Sequence, residues 1–178
     1  MNSDPTIYLA GFIEDSIVDG PGLRSVVFTQ GCDKDCPGCH NPDARPTRGG
    51  EPYSPEGLYE KIASNPLCAG VTFSGGEPLL QAEALLPLAR LIRGAGLSLA
   101  IYSGDTIERI AERGDGPQME LLSLADVLID GPFVEAEKSL SLPFRGSRNQ
   151  RILDSARSVS EGRAVPCENA AWFPKNRR

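Results

Sequence analysis

The chain has 178 residues, of which 40% are hydrophobic, so it can bury the core of a single domain without disulfides. Its formal charge is −6, divided as −9 over residues 1–154 and +3 over residues 155–178. The acidic body excludes a nucleic-acid footprint, and no apolar stretch approaches the ~20 residues of a membrane span. The first nine residues, with Asp4 and Pro5, lack the basic and apolar regions of an export signal. We therefore expect a soluble, cytoplasmic protein.

Apolar, β-rich runs alternate with helical patterns, which favours an α/β fold with parallel strands joined by helices. Strands are predicted at Arg24 to Thr29, Val71 to Ser74, Leu97 to Tyr102, Val127 to Ile129 and Arg151 to Leu153. Helices are predicted from a Ser54 N-cap to about Ser64, from Ala82 to Ile92, from Thr106 to Arg113 and from Gln118 to Leu122.

The length of the chain limits the kind of barrel that these elements can form. A full (β/α)8 barrel usually needs about 250 residues, so we predict a partial (β/α) barrel as a single domain over residues 1–154. Residues 155–178 are rich in proline, serine and charge. We expect them to form an irregular C-terminal tail or to cover part of the barrel.

Three cysteines follow the first predicted parallel strand. Cys32, Cys36 and Cys39 lie in GCDKDCPGCHN with C-x3-C-x2-C spacing. Thiolates bind the irons of a 4Fe-4S cluster, and three of them leave one iron open for a substrate. A zinc site completed by His40 is an alternative, although adjacent residues rarely both reach one ion. A disulfide scaffold is another, although it needs an oxidising compartment and normally a shorter chain.

The two remaining cysteines have no metal-binding spacing to one another. We expect Cys68 to pack as a small hydrophobic residue and Cys167 to be an exposed free thiol.

Later strands are also followed at once by polar or glycine-rich segments. Because active sites of parallel barrels collect at the C-terminal strand ends, these segments are expected beside the cysteine loop. Gly75 and Gly76 either form a tight turn or let the backbone approach a ligand, and Glu77 could accept a hydrogen bond from an ammonium group. Asp130 either caps a turn or binds a ligand. The segments are Ser74 to Glu77, Ser103 to Asp105 and Asp130 to Pro132.

Several stretches resemble the radical S-adenosylmethionine (SAM) enzymes. DGPGLRSVVFTQGCDKDCPGCHN, from Asp19 to Asn41, is similar to their cluster loop, especially in the activating enzymes of glycyl-radical proteins. VTFSGGEPLLQ, from Val71 to Gln81, resembles their GGEP motif. DVLIDGPF, from Asp126 to Phe133, and LPFRGSRNQRILD, from Leu142 to Asp154, are similar to the anaerobic ribonucleotide reductase activating proteins in particular.

The resemblance implies that the three cysteines hold a 4Fe-4S cluster with one open iron, and that the loop from Asp19 to Gly22 flanks it. It implies that the GGE segment holds the methionine moiety of SAM and that Asp130 lies near its ribose and methionine. No catalytic residue is expected beyond the cluster and SAM. The expected SAM-binding residues are Gly38, Cys39, His40, Ser74, Gly75, Gly76, Glu77, Ser103 and Asp130.

Gly38 departs from the pattern of many radical SAM enzymes, which have an aromatic residue before the third cysteine. Contacts to adenine are therefore expected from the backbone of residues 38–40 or from elsewhere. His40 is open to two interpretations, a wall of the SAM pocket or an ordinary loop residue. Three arginines also have two interpretations, as a solvated face or as part of a docking surface. They are Arg145, Arg148 and Arg151.

The implied reaction is reductive cleavage of SAM to methionine and a 5′-deoxyadenosyl radical. This radical would take hydrogen from a glycine in the large subunit of anaerobic ribonucleotide reductase, with reduced flavodoxin or ferredoxin as electron donor. One alternative is a radical SAM enzyme that acts on another glycyl-radical protein, a peptide or a small metabolite. Another is an electron-transfer or zinc-binding module that does not cleave SAM.

Overall fold

The computed structural model of the protein describes residues 5–174. These residues form one seven-stranded sheet, in the order β3-β1-β2-β4-β5-β6-β7. The strands are β1 Ile7–Ser16, β2 Arg24–Thr29, β3 Glu51–Tyr53, β4 Gly70–Gly75, β5 Ser98–Ser103, β6 Val127–Asp130 and β7 Arg151–Asp154. The α-helices are α1 Pro55–Ala63, α2 Ala82–Gly94, α3 Ile107–Arg113, α4 Gly116–Leu124 and α5 Ser155–Glu161.

Four neighbouring strands, β2, β4, β5 and β6, are parallel, and helices connect them in the manner of β/α units. All five predicted strands are present. Strands β3 and β7 form the two edges of the sheet and do not pair with each other, so the barrel is not closed. The predicted α/β fold of a partial barrel is therefore confirmed. Strands β1 and β3, which were not predicted from the sequence, extend the sheet by antiparallel pairing.

Strand β7 lies antiparallel to β6, whereas β2, β4, β5 and β6 are parallel to one another. The connection between them, residues 131–150, contains a single 3-10 turn at Glu135–Glu137. A parallel strand is usually reached through a crossover helix, and the connection between β6 and β7 has no α-helix.

Helices cover one face of the sheet. The Ser54 side chain accepts a hydrogen bond from the Gly57 N–H and Pro55 is the first helical residue, so α1 begins as predicted. Side chains on this face and on the helices form the larger core cluster, which includes Phe73, Leu85 and Ile101. Among residues 5–174, no helix is long and apolar enough to cross a membrane.

The segment after β7 differs from the expected irregular tail. Ser155–Glu161 form α5, and the Asp154 carboxylate accepts a hydrogen bond from the Arg157 N–H at its start. The chain then runs beside β7, where the Cys167 N–H donates to the Ile152 carbonyl. Residues 175–178 lie outside the described range.

Trp172 fills the second face of the sheet. The indole is 4% exposed and packs in a cluster with Ala100, Val127, Ile129 and Ile152. The segment after β7 therefore contributes to the interior of the domain and covers one face of the sheet.

The Arg24 guanidinium is buried beside Trp172, with its Cζ 5.7 Å from the centre of the indole ring. It donates hydrogen bonds to Thr72 Oγ1 at 2.9 Å, the Val71 carbonyl at 2.7 Å and Ser98 Oγ at 2.8 Å. No carboxylate of the described residues forms a salt bridge with it, and burial lowers its pKa to about 10. Neutral oxygens and an aromatic face thus surround this cation.

We expect Trp172→Ala to lower the free energy of unfolding by roughly 3–5 kcal/mol, the usual cost of truncating a large buried side chain. Urea unfolding of the cluster-free protein would measure the change. Phe173→Ala is the matched control, because Phe173 is 44% exposed and should lose little. Equal losses in the two variants would show that Trp172 is not a core residue.

Candidate active site

A cavity of about 520 Å³ lies at the C-terminal ends of the parallel strands. Its walls come from the loops that follow β2, β4, β5 and β6, as expected for a parallel barrel. All the site residues predicted from the sequence line this cavity, except Gly38 and Asp130. The predicted residues that line it are Cys32, Cys36, Cys39, His40, Ser74, Gly75, Gly76, Glu77 and Ser103.

The cysteine loop is fixed at its two ends by backbone hydrogen bonds. The Gly31 N–H donates to the Ala44 carbonyl at 2.8 Å, and the Cys32 N–H donates to the Arg45 carbonyl at 3.0 Å. Inside the loop, the Cys39 N–H donates to the Cys36 carbonyl at 3.2 Å. The chain thus closes a compact loop that brings three thiols to one cavity.

The glycine turn after β4 packs directly on the start of the cysteine loop. The Gly76 N–H donates to the Thr29 carbonyl and the Glu77 N–H to the Gly31 carbonyl, both at 2.8 Å. A Cβ atom at Gly76 would lie 2.1 Å from the Gly31 oxygen, so only glycine allows this approach. Gly75 combines a φ of +101° with close packing, because a Cβ atom there would lie 2.5 Å from the Thr29 backbone nitrogen.

The Glu77 carboxylate joins three segments at the base of the cavity. It accepts hydrogen bonds from the Gly104 N–H at 2.8 Å, Ser103 Oγ at 3.1 Å and the Leu79 N–H at 3.2 Å. Glu77 is 3% exposed, and this burial raises its pKa to about 7 although the donors and Lys34 oppose the shift. The carboxyl therefore changes charge near neutral pH.

Lys34 connects the cysteine loop to the turn after β5. Its Nζ lies 3.0 Å from an Asp105 oxygen and 2.7 Å from an Asp33 oxygen, and Arg113 contacts the same Asp105 carboxylate at 2.6 Å. Burial lowers the pKa of Lys34, but the hydrogen bonds to the two aspartates outweigh it and leave the pKa raised. The ammonium group is thus already paired on two sides.

The thiol arrangement fits the cluster hypothesis. In a 4Fe-4S cluster each cysteine binds a different iron, so the three thiols need to share one cavity. Three thiols that line one cavity from a single loop therefore suit a cluster.

Gly38 does not line the cavity. Its φ is +70°, and a Cβ atom there would lie 2.9 Å from the Glu135 carboxyl group. The end of the Glu135 side chain therefore lies where a side chain at residue 38 would begin. His40 does line the cavity, and its ring packs against Phe133 with centroids 4.5 Å apart.

Asp130, predicted near the ligand, is not among the residues that line the cavity. Its carboxylate is fully buried and accepts from the Ile107 N–H at 2.8 Å and from Arg151 at 2.6 and 2.9 Å. These contacts hold the start of α3 and strand β7 in place. Asp130 thus differs from Glu77, which also accepts several hydrogen bonds but does line the cavity.

The cavity also contains residues to which the sequence assigned no specific role. Asp19 lines it, as the resemblance of its loop implies, and Phe133 and Phe144 come from the quoted C-terminal motifs. The Tyr102 hydroxyl donates to the Phe144 carbonyl at 2.7 Å, and Arg145 follows directly. Hydrophobic patterning could not have located them, because they lie at strand ends and in a loop.

Residues 18–153 match the family model of a 4Fe-4S single cluster domain. The anaerobic ribonucleoside-triphosphate reductase-activating protein of Escherichia coli (strain K12) is 32% identical over 145 residues, which cover 76% of this chain and 91% of that protein. The pyruvate formate-lyase-activating enzyme of Clostridium pasteurianum is 39% identical over 138 residues, 74% of this chain. This chain spans 55% of the clostridial protein's length.

Among solved structures, QueE from Escherichia coli matches 57% of this chain and 54% of its own, with a TM-score of 0.48 and 19% sequence identity.

Proposed function

Because this chain belongs to the 4Fe-4S family of radical SAM activating enzymes, we propose that it installs a glycyl radical on the large subunit of an anaerobic ribonucleoside-triphosphate reductase. The family carries the cofactors predicted from the sequence, a 4Fe-4S cluster and SAM. The chain is an enzyme of this family, whose relatives are named as activating enzymes.

One observation favours the reductase as the partner. The reductase-activating protein is matched over 91% of its own length, whereas the pyruvate formate-lyase-activating enzyme is matched over 55%. The matched region therefore corresponds to nearly all of a reductase activator.

The cavity residues have the chemistry that these cofactors need. Cys32, Cys36 and Cys39 would hold the cluster, and the turn at Gly76 and Glu77 would hold the amino group of SAM. When bound and reduced by a low-potential donor such as flavodoxin or ferredoxin, the cofactors supply a 5′-deoxyadenosyl radical that can take hydrogen from carbon. The cavity walls would keep water away from that radical.

Exposed apolar side chains beside the cavity support a protein as substrate. Val18 lines the cavity and is 70% exposed, while Ile17 and Leu140 line an adjoining groove and are 72% and 97% exposed. Large side chains grouped in this way are typical of a protein-binding surface.

The proposal is tested by mixing the reconstituted protein anaerobically with SAM, a low-potential reductant and the reductase from its own genome. We expect a glycyl doublet in the electron-resonance spectrum and formation of deoxynucleotides. Cleavage of SAM without that radical would contradict the proposal, and would favour another glycyl-radical protein, a peptide or a small metabolite as substrate.

Glu77→Gln is expected to weaken SAM binding by roughly tenfold at pH 8, because a carboxylate accepts a hydrogen bond more strongly than an amide. The effect should shrink at pH 6, since a carboxyl with a pKa of about 7 is then mostly neutral, like the amide. Equilibrium dialysis of the cluster-loaded protein would measure both affinities. Glu83→Gln, an exposed carboxyl on α2, is the control, and an equal change in both variants would contradict the role.

A further inference from the structure

The cavity has three cationic side chains, and only one lacks an acidic partner in the described part of the chain. Lys34 contacts Asp33 and Asp105, and Arg45 pairs with Asp35. Arg145 forms no salt bridge with any residue from 5 to 174, although it lines the cavity. Its positive charge is therefore uncompensated at the proposed site of a cofactor that carries a carboxylate.

The Arg145 guanidinium is also incompletely hydrogen-bonded. Its Nη1 donates to the Gln150 carbonyl at 3.1 Å, whereas its Nε is buried and has no partner among the described residues. A buried donor without a partner costs free energy, so such a group in a native protein calls for an explanation. A bound anion would compensate the charge, and no neighbouring carboxylate does so.

The loop that carries Arg145 is held firmly. The Gln150 side chain accepts from the Gly146 N–H at 2.8 Å and the Ser147 N–H at 3.2 Å, and donates to the Gly131 carbonyl at 3.2 Å. Phe144, just before Arg145, has a φ of +57°, and among the described residues no other non-glycine residue has a positive φ. A bulky residue in this strained conformation is typical of functional sites.

We propose that Arg145 binds the α-carboxylate of SAM. A guanidinium is a strong hydrogen-bond donor to a carboxylate, and this carboxylate is the anionic group of SAM. Glu77, which lines the same cavity, has the complementary charge for the amino group. The two side chains would thus fix the methionine end of SAM by opposite charges. This inference rests on SAM as the cofactor and not on the identity of the protein substrate.

The test compares SAM with decarboxylated SAM, which lacks this carboxylate, on the cluster-loaded protein by competitive equilibrium dialysis. We expect Arg145→Met to weaken SAM binding by roughly 10- to 100-fold, the usual range for a hydrogen bond to a charged group, and to change the affinity for decarboxylated SAM less than about twofold. Arg145→Lys should retain part of the SAM affinity because it keeps the charge.

Arg148→Met is the matched control, since Arg148 is an exposed arginine of the same loop. An unchanged SAM affinity in Arg145→Met would overturn the proposal, as would equal losses for SAM and decarboxylated SAM. Binding requires no reductase, so the outcome is separate from the test for the glycyl radical. If the SAM affinity falls as expected but no radical forms, the role of Arg145 stands while the proposed substrate fails.

Discussion

Replacing Cys32, Cys36 or Cys39 by serine is expected to abolish the cluster and, with it, cleavage of SAM. A serine hydroxyl is a poor ligand for the soft, sulfide-bridged irons, and the described structure offers no fourth cysteine at this cavity. Iron and sulfide content after anaerobic reconstitution would measure the cluster, and chromatography of 5′-deoxyadenosine would measure cleavage. We expect both to fall to background in each single variant.

Cys68→Ser and Cys167→Ser are the matched controls. Cys68 packs against the larger core cluster, as predicted. Cys167 packs against the Trp172 cluster and is half-buried, so the expectation of an exposed thiol was wrong. Both variants should keep their iron. Tightly bound zinc in stoichiometric amount, without sulfide, would instead contradict the cluster.

Gly76→Ala is expected to damage both the fold and the site. The added carbon would lie 2.1 Å from the Gly31 oxygen and 2.9 Å from the Ala44 oxygen, both of them backbone atoms that a side-chain rotation cannot move away. Overpacking of this kind usually costs about 1–3 kcal/mol or more. Separation of the glycine turn from the cysteine loop should also lower SAM affinity by at least about tenfold.

Thermal unfolding and SAM dialysis of the same preparations would measure the two effects. Gly94→Ala is the control, because Gly94 is exposed on α2 and a Cβ atom there would meet no atom within 4 Å. If Gly76→Ala kept both its melting temperature and its SAM affinity, the glycine turn and the cysteine loop would not pack as the structure shows.

Local chemistry predicted much of this fold. Ser54 and Pro55 mark the start of α1 by capping and backbone restraint, which depend on neighbouring residues alone. Strand β3 was missed because it has only three residues and its partner β1 lies far away in the sequence. Strand β1, which pairs with the next strand β2, was missed as well.

The site residues also divide into those that local sequence could predict and those that depend on distant contacts. The residues after β2 and β4 were located because a parallel sheet gathers its strand ends at one edge. Asp130 was placed near the ligand because its motif is shared, yet Arg151 and the start of α3 occupy its oxygens. Long-range pairs of this kind cannot be read from spacing. Gly38 was identified as unusual, but only the structure shows the Glu135 side chain beside it.

The contact between Arg24 and Trp172 has a consequence for biosynthesis. It joins the first parallel strand to a residue near the far end of the described chain. Contacts of such large sequence separation form late, because a long segment must be ordered before they contribute. The sheet's second face therefore cannot close before residue 172 has left the ribosome, whereas the cysteine loop emerges much earlier. During that interval the three cysteines lie outside the ribosome while the second face of the sheet is still open.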